Sequence, residues 1–258
     1  MSVATASIIS ADEFPSAMEA VLDEVGAVEA LSGFSRIIIK PNIVNSSPPP
    51  ITTDVRCVEA LVRYLADRLD AEIVVAEGSG EGDTIVNMDR NGYREIGVPL
   101  VDLDSQPVKT YSDSRAAVYR EVHLPDYLEG AALVSVPPAK DHTITRTTLG
   151  LKNMVGCLHA KHYGGYWSYK KSQVHNGDED QIIADLILYL EPHLTVIDAR
   201  QGAKGGHLSG VVPDPPLGKL LAGTDVIEVD REACRILGHD PDSVRYLSLA
   251  SALRDGSS

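Results

Sequence analysis

The sequence has little cysteine, few aromatic residues and no long apolar run, and each shortage narrows the choice of structure. Its 3 cysteines include no Cys-x-x-Cys pair, so the chain carries no motif for a ferredoxin-type cluster or a zinc knuckle. Such sparse cysteine is typical of a reducing compartment, and no apolar run approaches the length of a membrane-spanning helix. Because the first residues form an acidic segment rather than a signal peptide, the sequence predicts a cytoplasmic protein.

Positive charge is scarce as well. Lys and Arg number 23 against 37 Asp and Glu, which gives a formal net charge of −14. A surface of this charge repels phosphate backbones and anionic membranes, so we expect neither nucleic acid nor membrane as a partner. A small anionic molecule is still a suitable partner if its pocket is locally positive. The sequence leaves open whether the chains form an oligomer.

Short runs of β-branched apolar residues are plentiful, and they alternate with segments of helical period. Buried strands are predicted at Ile37–Ile39, Glu72–Ala76, Ala132–Val136 and Leu194–Ile197, and a helix capped by Thr53 is predicted after the first of them. This alternation predicts an α/β fold with a mainly parallel or mixed sheet and flanking helices. Since no repeat or linker divides the chain, residues 1–258 are expected to form a single α/β domain.

The stretch from 140 to 177 is unusually polar and rich in Gly, Tyr, Lys and His. The prolines Pro137 and Pro138 are expected to end the preceding strand, so the sequence predicts a long polar active-site loop after them. A segment of this length is more than a connection between two elements, and such loops commonly carry function.

Polar side chains also follow several of the predicted strands. In open parallel sheets the carboxyl ends of the strands line the ligand crevice, so these side chains are expected to converge. The residues expected to be catalytic are Lys40, Lys140, His142, Lys152 and Asp198.

These residue types favour proton transfer on an anion. The ammonium groups of Lys140 and Lys152 are suited to holding a carboxylate or phosphate, or to stabilising a developing enolate. His142 is the natural proton carrier near neutral pH, and Asn42 and Asn153 are placed to orient a carbonyl or hydroxyl. The sequence thus predicts an isomerase- or lyase-like enzyme that uses Lys/His acid–base chemistry on a carboxylate-bearing metabolite, without a cofactor.

A second constellation leaves other functions open. Cys157, His159 and His162 fall close together, and sulfur and imidazole suit a divalent metal, which would make the chain a metal-dependent protein or the redox partner of an external iron–sulfur protein. The same loop equally suits substrate contact. If the polar residues do not share one cleft, the chain is instead a non-catalytic binding protein. The expected substrate-contact residues, besides the two asparagines, are His159, His162, Tyr163, Trp167 and Lys204.

Three short motifs stand in order along the chain: Lys40-Pro41-Asn42 after the first predicted strand, Lys140-Asp141-His142, and Leu151-Lys152-Asn153. Together with Val196-Ile197-Asp198 and the run from Leu221 to Asp225, they make the sequence similar to the domain of unknown function 362 family over residues 33–250. The resemblance implies an α/β fold. Many members of that family resemble fusions to ferredoxin-like modules and are labelled iron–sulfur proteins, whereas this sequence carries no such module.

Overall fold

A mixed sheet organises the computed structural model, which describes residues 3–165, 170–208 and 210–256. The strands are β1 Ala4–Ser7, β2 Arg36–Pro41, β3 Glu72–Glu77, β4 Leu100–Asp102, β5 Val108–Ser112, β6 Glu121–Pro125, β7 Ala132–Val136, β8 Pro138–His142, β9 Arg146–Thr148, β10 Leu194–Ala203 and β11 Lys219–Gly223. The helices are α1 Phe14–Glu24, α2 Ala27–Leu31, α3 Val55–Ala66, α4 Thr84–Arg90, α5 Gly150–Asn153, α6 Ala160–Tyr163, α7 Glu179–Asp185, α8 Ile187–Leu190, α9 Val226–Ile236 and α10 Arg245–Asp255. Short 3-10 turns lie at Ala11–Glu13, Tyr93–Ile96, Leu103–Ser105, Asp126–Leu128, Met154–Cys157, Ser172–Asn176 and Pro241–Ser243.

The strand order is β1-β11-β10-β7-β2-β3-β4. From β10 to β4 the neighbouring strands are parallel, whereas β11 is antiparallel to both β10 and β1. β8 runs parallel to the second half of β10 and forms a hairpin with β9, and β5 and β6 pair as a separate two-stranded sheet. The predicted class, an α/β fold with a mainly parallel or mixed sheet and flanking helices, is confirmed.

The central strands are covered on both faces, which explains their continuous apolar sequence. Ile37 and Ile39 pack in one hydrophobic cluster with residues of α1 and α3, while Ile38 between them packs in another on the opposite face. This alternation follows from the two-residue period of a strand. A third cluster joins β10 and β11 to α9 and α10.

Each of the three hydrophobic clusters contains one buried, unpaired cysteine. Cys57 lies in the cluster under α3, Cys234 in the cluster of α9, and Cys157 in the cluster on the opposite sheet face from Cys57. Burial raises the pKa of all three thiols, to about 12 for Cys157 and Cys234. They are therefore protonated at neutral pH.

Two local expectations need correction, whereas the prolines do end the preceding strand, since β7 stops at Val136 just before Pro137. What the sequence did not indicate is that a new strand, β8, begins at Pro138, where a residue without an N–H is tolerated because the first position need not donate to the ladder. Consequently the polar stretch from 140 to 177 is not one loop: its described residues contain the β8–β9 hairpin, α5, α6 and two 3-10 turns. Asp54, rather than Thr53, caps α3 through a hydrogen bond from Arg56 N.

Within the described ranges, no helix combines the length and the apolar composition that a bilayer crossing requires.

Candidate functional site

A cavity of about 320 Å³ opens at the carboxyl ends of β2 and β3, where the parallel strands deliver their last residues. The topology therefore places it at the edge where the sequence predicts a crevice. The polar residues that line it come from segments between residues 40 and 207: Lys40, Asn42, Glu77, Lys140, His142, Thr148, Lys152, Asn153, Lys171, His175 and His207.

A buried ion pair joins the ends of β2 and β3. Lys40 Nζ lies 2.7 Å from Glu77 Oε1, and both side chains are almost fully buried. Lys40 Nζ also donates hydrogen bonds to Pro41 O at 3.1 Å and to Asn153 Oδ1 at 3.2 Å, so all three of its N–H groups have an acceptor. Glu77 in turn accepts from the backbone N–H groups of Ile43 and Gly78. Complete pairing of this kind makes a buried charge tolerable.

Two asparagines link this pair to the next lysine. Asn153 donates through Nδ2 to Lys40 O and Ser135 Oγ, which fixes its Oδ1 toward Lys40 and Asn42. Asn42 donates to that oxygen through Nδ2, leaving its own Oδ1 to face Lys140. Thr53 holds Asn42 in place, because its hydroxyl accepts from Asn42 N and donates to Val136 O.

Lys140 differs from the other buried lysines of the cavity in its partners. Its Nζ donates to Asn42 Oδ1 at 2.7 Å and to Ile51 O at 2.6 Å, both uncharged oxygens. No carboxylate of the described residues lies within ion-pair distance of it. Burial lowers the pKa of Lys140 to about 7, and the positive charges of Lys152 and Lys40 act in the same direction against the opposing charge of Glu77. This amine therefore changes protonation state near neutral pH.

Glu179, the first residue of α7, reaches into the cavity region and contacts two side chains there. Its Oε1 accepts a short hydrogen bond from Lys152 Nζ, and its Oε2 lies 2.9 Å from His175 Nδ1. Burial opposes ionisation of this carboxyl, but the hydrogen bond with His175 and the charge of Lys152 outweigh it and lower the pKa to about 2. Lys152 is therefore paired with Glu179.

Backbone contacts fix His142 with a hydrogen-bond donor free to face the cavity. Its Nδ1 accepts from the backbone N–H groups of Ile144 and Thr145 in the β8–β9 turn, which places the ring proton on Nε2. Burial lowers its pKa to about 2, and the charge of Lys152 contributes in the same direction. The ring of His207 stacks on it with centroids 4.1 Å apart. These contacts keep His142 neutral over the physiological pH range.

A fourth lysine enters from the segment after α6. Lys171 Nζ lies 2.8 Å from Asp104 Oδ1, and burial lowers the pKa of this lysine.

Two glycines allow the loops around the Lys40–Glu77 pair to pack closely. A Cβ at Gly156 would lie 2.3 Å from Glu77 Oε1, and one at Gly78 would lie 2.6 Å from Gly156 O. The two loops approach this closely only because neither position carries a side chain.

The formal charges in this site do not balance. Lys40, Lys152 and Lys171 each have one carboxylate partner, namely Glu77, Glu179 and Asp104. Lys140 is the remaining cation lining the cavity, and its hydrogen bonds go to neutral atoms. Protonation of Lys140 thus leaves one uncompensated positive charge in a mostly buried space, and an anionic ligand would compensate it.

Asp198 does not lie with the other residues expected to be catalytic. β10 continues to Ala203 because its second half pairs with β8, so Asp198 sits in the middle of the strand instead of at its end. Its Oδ1 accepts from Arg200 N, and burial raises its pKa to about 6. It does not line the cavity.

Several residues expected to contact substrate lie elsewhere too. His159 Nδ1 caps α6, His162 stacks on His123, and Tyr163 Oη accepts from His123 N, so all three cover β6. Lys204 forms a backbone bridge with Val211 and is not among the cavity-lining residues. Trp167 falls outside the described residues.

The expected metal-binding set is also dispersed. Cys157 is packed in a hydrophobic cluster, whereas His159 caps α6 and His162 stacks on His123, and the described part of the chain holds no group of three or more His, Cys, Asp or Glu side chains placed to bind a metal.

Sequence reasoning gave no role in the site to two residues that shape the cavity, Glu179 and Lys171. Glu179 resembles an ordinary residue of a capping box, and Lys171 sits in a polar stretch without a strand to place it. The sequence signal that was available is a glutamate at a predicted helix start beside an unassigned polar segment.

Comparison with known proteins places the chain in one family. The model of a family described as "Domain of unknown function (DUF362)" matches residues 37–235. The "thylakoid-associated protein sll1697" of Synechocystis sp. is 23% identical over 226 residues, covering 84% of this chain and 68% of that protein. A crystal structure of a Thermotoga maritima protein aligns with a TM-score of 0.45 at 9% identity, and the match spans 96% of this chain but only 60% of that one.

Proposed function

We propose a function from the cavity itself, since the chain belongs to the domain of unknown function 362 family, whose description names no reaction. The chain is a small-molecule enzyme of the isomerase or lyase type that moves a proton on a carboxylate-bearing metabolite, with Lys140 as the proton-carrying group. The observation that carries the proposal is the placement of Lys140: it lines the cavity, is buried, and has only Asn42 Oδ1 and Ile51 O as partners.

Electrostatics favour an anion as the ligand. The other three lysines are already neutralised by carboxylates, so the charge of protonated Lys140 is the one that a ligand carboxylate would balance. A bound carboxylate would also raise the pKa of Lys140, because a nearby negative charge favours the charged form of an amine. The uncharged amine, which is present at neutral pH because its pKa is about 7, takes the proton, and the negative charge of the ligand then stabilises the ammonium that forms.

The neighbours of Lys140 suit the charge that develops during such a step. Removal of a proton next to a carbonyl or carboxylate leaves negative charge on oxygen, as in an enolate. Nε2–H of His142 and the ammonium of Lys152 line the same cavity as donors, and Lys140 itself becomes a third when it carries the proton. His142 shares a face of β8 with Lys140, since they are two residues apart on one strand.

Hydrogen exchange tests the proposal without knowledge of the full reaction. Pyruvate, lactate, malate and aspartate are incubated with the protein in heavy water, and NMR follows loss of the C–H signal beside the carbonyl or carboxylate. We expect at least one to exchange with wild-type protein and not with Lys140→Arg, which keeps a cation but cannot act as a base near neutral pH. Lys219→Arg, the same change at the partly exposed first residue of β11 outside the cavity, should exchange like wild type.

The outcomes separate two functions. Saturable binding that depends on Lys140 but brings no exchange with any of the four acids would favour a non-catalytic binding protein. If the acids neither bind nor exchange, the proposal is wrong.

We further propose that the chain works in the cytoplasm on small molecules rather than on nucleic acid or at a membrane surface. Three buried unpaired cysteines are consistent with a reducing compartment, and the net charge of −14 disfavours polyanionic partners. Fractionation of the native host, followed by immunodetection of the chain in soluble and membrane fractions, tests this location.

A further inference from the structure

We infer that Lys140 is also a nucleophile, and that the chain takes carbonyl-bearing carboxylates, keto acids, which form an imine with it. This deepens the proposed function, because it rests on the binding of a carboxylate metabolite in the same cavity. It differs in the chemistry: a covalent bond to the lysine replaces direct proton removal as the first step.

The hydrogen bonds of Lys140 leave its lone pair free. An uncharged lysine amine has two N–H groups and one lone pair. Asn42 Oδ1 at 2.7 Å and Ile51 O at 2.6 Å accept the two N–H groups, so the neutral amine is fully hydrogen-bonded without using its lone pair. Since Lys140 lines the cavity, a ligand there meets an amine that is held in place and still able to attack.

The other buried lysines of the cavity are not prepared in this way. Lys40 spends all three donors on Glu77, Pro41 O and Asn153 Oδ1, which requires the protonated form. Lys152 and Lys171 each contact a carboxylate, and such a contact favours the ammonium, which has no lone pair. Nucleophilic reactivity is therefore expected at one lysine among four.

The protonation state of Lys140 also favours nucleophilic attack. Burial lowers the pKa of Lys140 to about 7, so a large fraction of this amine is uncharged at neutral pH. An ordinary exposed lysine is almost completely protonated there. Nε2–H of His142 and the ammonium of Lys152 line the same cavity and hold the ligand carboxylate in this complex, so the uncharged amine of Lys140 faces the carbonyl carbon. Its positive charge, which the carboxylate balances, develops only with the protonated imine.

The step balances without an added oxidant or reductant. The lone pair of Nζ forms a bond to the carbonyl carbon, and the carbonyl π electrons move to oxygen, which becomes a hydroxyl. That hydroxyl leaves as water, whose two hydrogens come in sum from the amine. The imine nitrogen then takes up a proton from solvent. This single N–H donates to one of the two oxygens, Asn42 Oδ1 or Ile51 O, that accepted hydrogen bonds from the amine. The protonated imine then acidifies the neighbouring C–H bond, which links this step to proton transfer.

Reductive trapping tests the imine directly. The full-length protein is incubated with pyruvate, glyoxylate or α-ketoglutarate and sodium cyanoborohydride, and intact-mass spectrometry and peptide mapping follow. We expect an increase equal to the keto acid less one oxygen atom, at one site per chain, located on Lys140. Lys140→Arg should lose the adduct, whereas Lys219→Arg should keep it. Mapping of the wild-type adduct locates the reactive lysine even if the Lys140 variant does not fold.

Each result decides a different claim. An adduct on Lys40, Lys152, Lys171 or only on surface lysines overturns the inference. Lys140-dependent hydrogen exchange without any trapped adduct overturns the inference but leaves the proposed proton transfer intact. Absence of adduct, exchange and saturable binding removes both.

Discussion

Nζ of Lys140 and Oδ1 of Asn42 lie 2.7 Å apart, an ammonium-capable amine facing a neutral amide where a carboxylate would be expected. An aspartate at this position would give a buried ion pair like that of Lys40 and Glu77. The amide instead leaves Lys140 without a counter-charge and allows its low pKa. The identity of one atom, nitrogen or oxygen on residue 42, thus separates a reactive lysine from a structural one.

Asn42→Asp should keep Lys140 protonated, and therefore unreactive, at neutral pH. A carboxylate at hydrogen-bond distance raises the pKa of an amine by roughly 1–3 units, so NMR titration of the ε-methylene of Lys140 should shift its midpoint upward from about 7. Hydrogen exchange should be lost at pH 7 and should return at higher pH. Asn45→Asp, a similar change outside the cavity lining, supplies the control. An unchanged midpoint in Asn42→Asp would contradict the role given to the amide.

The stability of the wild type should depend on pH through Lys140. In the folded chain the pKa of this amine is about 7, whereas the ordinary lysine value is 10.5, so unfolding takes up a proton between these pH values. The free energy of unfolding of the wild type should therefore rise with pH across this window, relative to Lys140→Met, by about 1 kcal/mol for each pH unit. Denaturant titrations at several pH values measure it, with Lys219→Met, a lysine outside the cavity, as the control. Parallel pH curves for wild type and Lys140→Met would count against the low pKa.

Glu77→Gln should destabilise the fold strongly. The substitution leaves the Lys40 ammonium buried without its counter-charge, and loss of one partner of a buried pair costs about 3–5 kcal/mol. Glu72→Gln on the same strand removes an exposed partner of Arg36 and should cost less than about 1 kcal/mol. Urea unfolding of both variants makes the comparison, and similar losses would show that the Lys40–Glu77 pair is not a special element of the fold.

Gly156→Ala should damage the cavity. The added Cβ would lie 2.3 Å from Glu77 Oε1 and 2.6 Å from Lys40 Nζ, so the ion pair must move. We expect a loss of about 1–3 kcal/mol, the usual cost of overpacking, together with weaker binding of carboxylates. Gly33→Ala, where a Cβ meets nothing within 4 Å, is the matched control. Thermal melting and carboxylate titration measure the two effects, and a wild-type response from Gly156→Ala would mean that the two loops can separate freely.

The sheet and half of the cavity could be predicted from the sequence because both depend on local patterns. Apolar runs mark β2, β3, β7 and β10. Lys40 is near the last residue of β2 and Asn42 comes immediately after the strand, so the position of both could be predicted from its end. Lys140, Lys152 and Asn153 belong to the family motifs found in the sequence, and they line the cavity.

What could not be predicted depends on partners distant in the chain. The proton on His142 is placed by backbone N–H groups of a turn that the sequence did not indicate, because a loop was expected after Pro138 where the strand β8 begins. Lys140 and Lys152 look alike in sequence, and only the position of Glu179 separates the neutralised lysine from the free one. Asp198 was misplaced because the length of β10 is set by its pairing with β8.

The distribution of the three cysteines has a practical consequence. Each hydrophobic cluster holds one thiol, and these thiols are buried and protonated in the native fold. Alkylating reagents attack the exposed thiolate, so each cysteine reacts only when its own cluster opens. Mass spectrometry of briefly alkylated protein would therefore report the opening of Cys57, Cys157 and Cys234 separately, giving the chain three built-in reporters of regional unfolding.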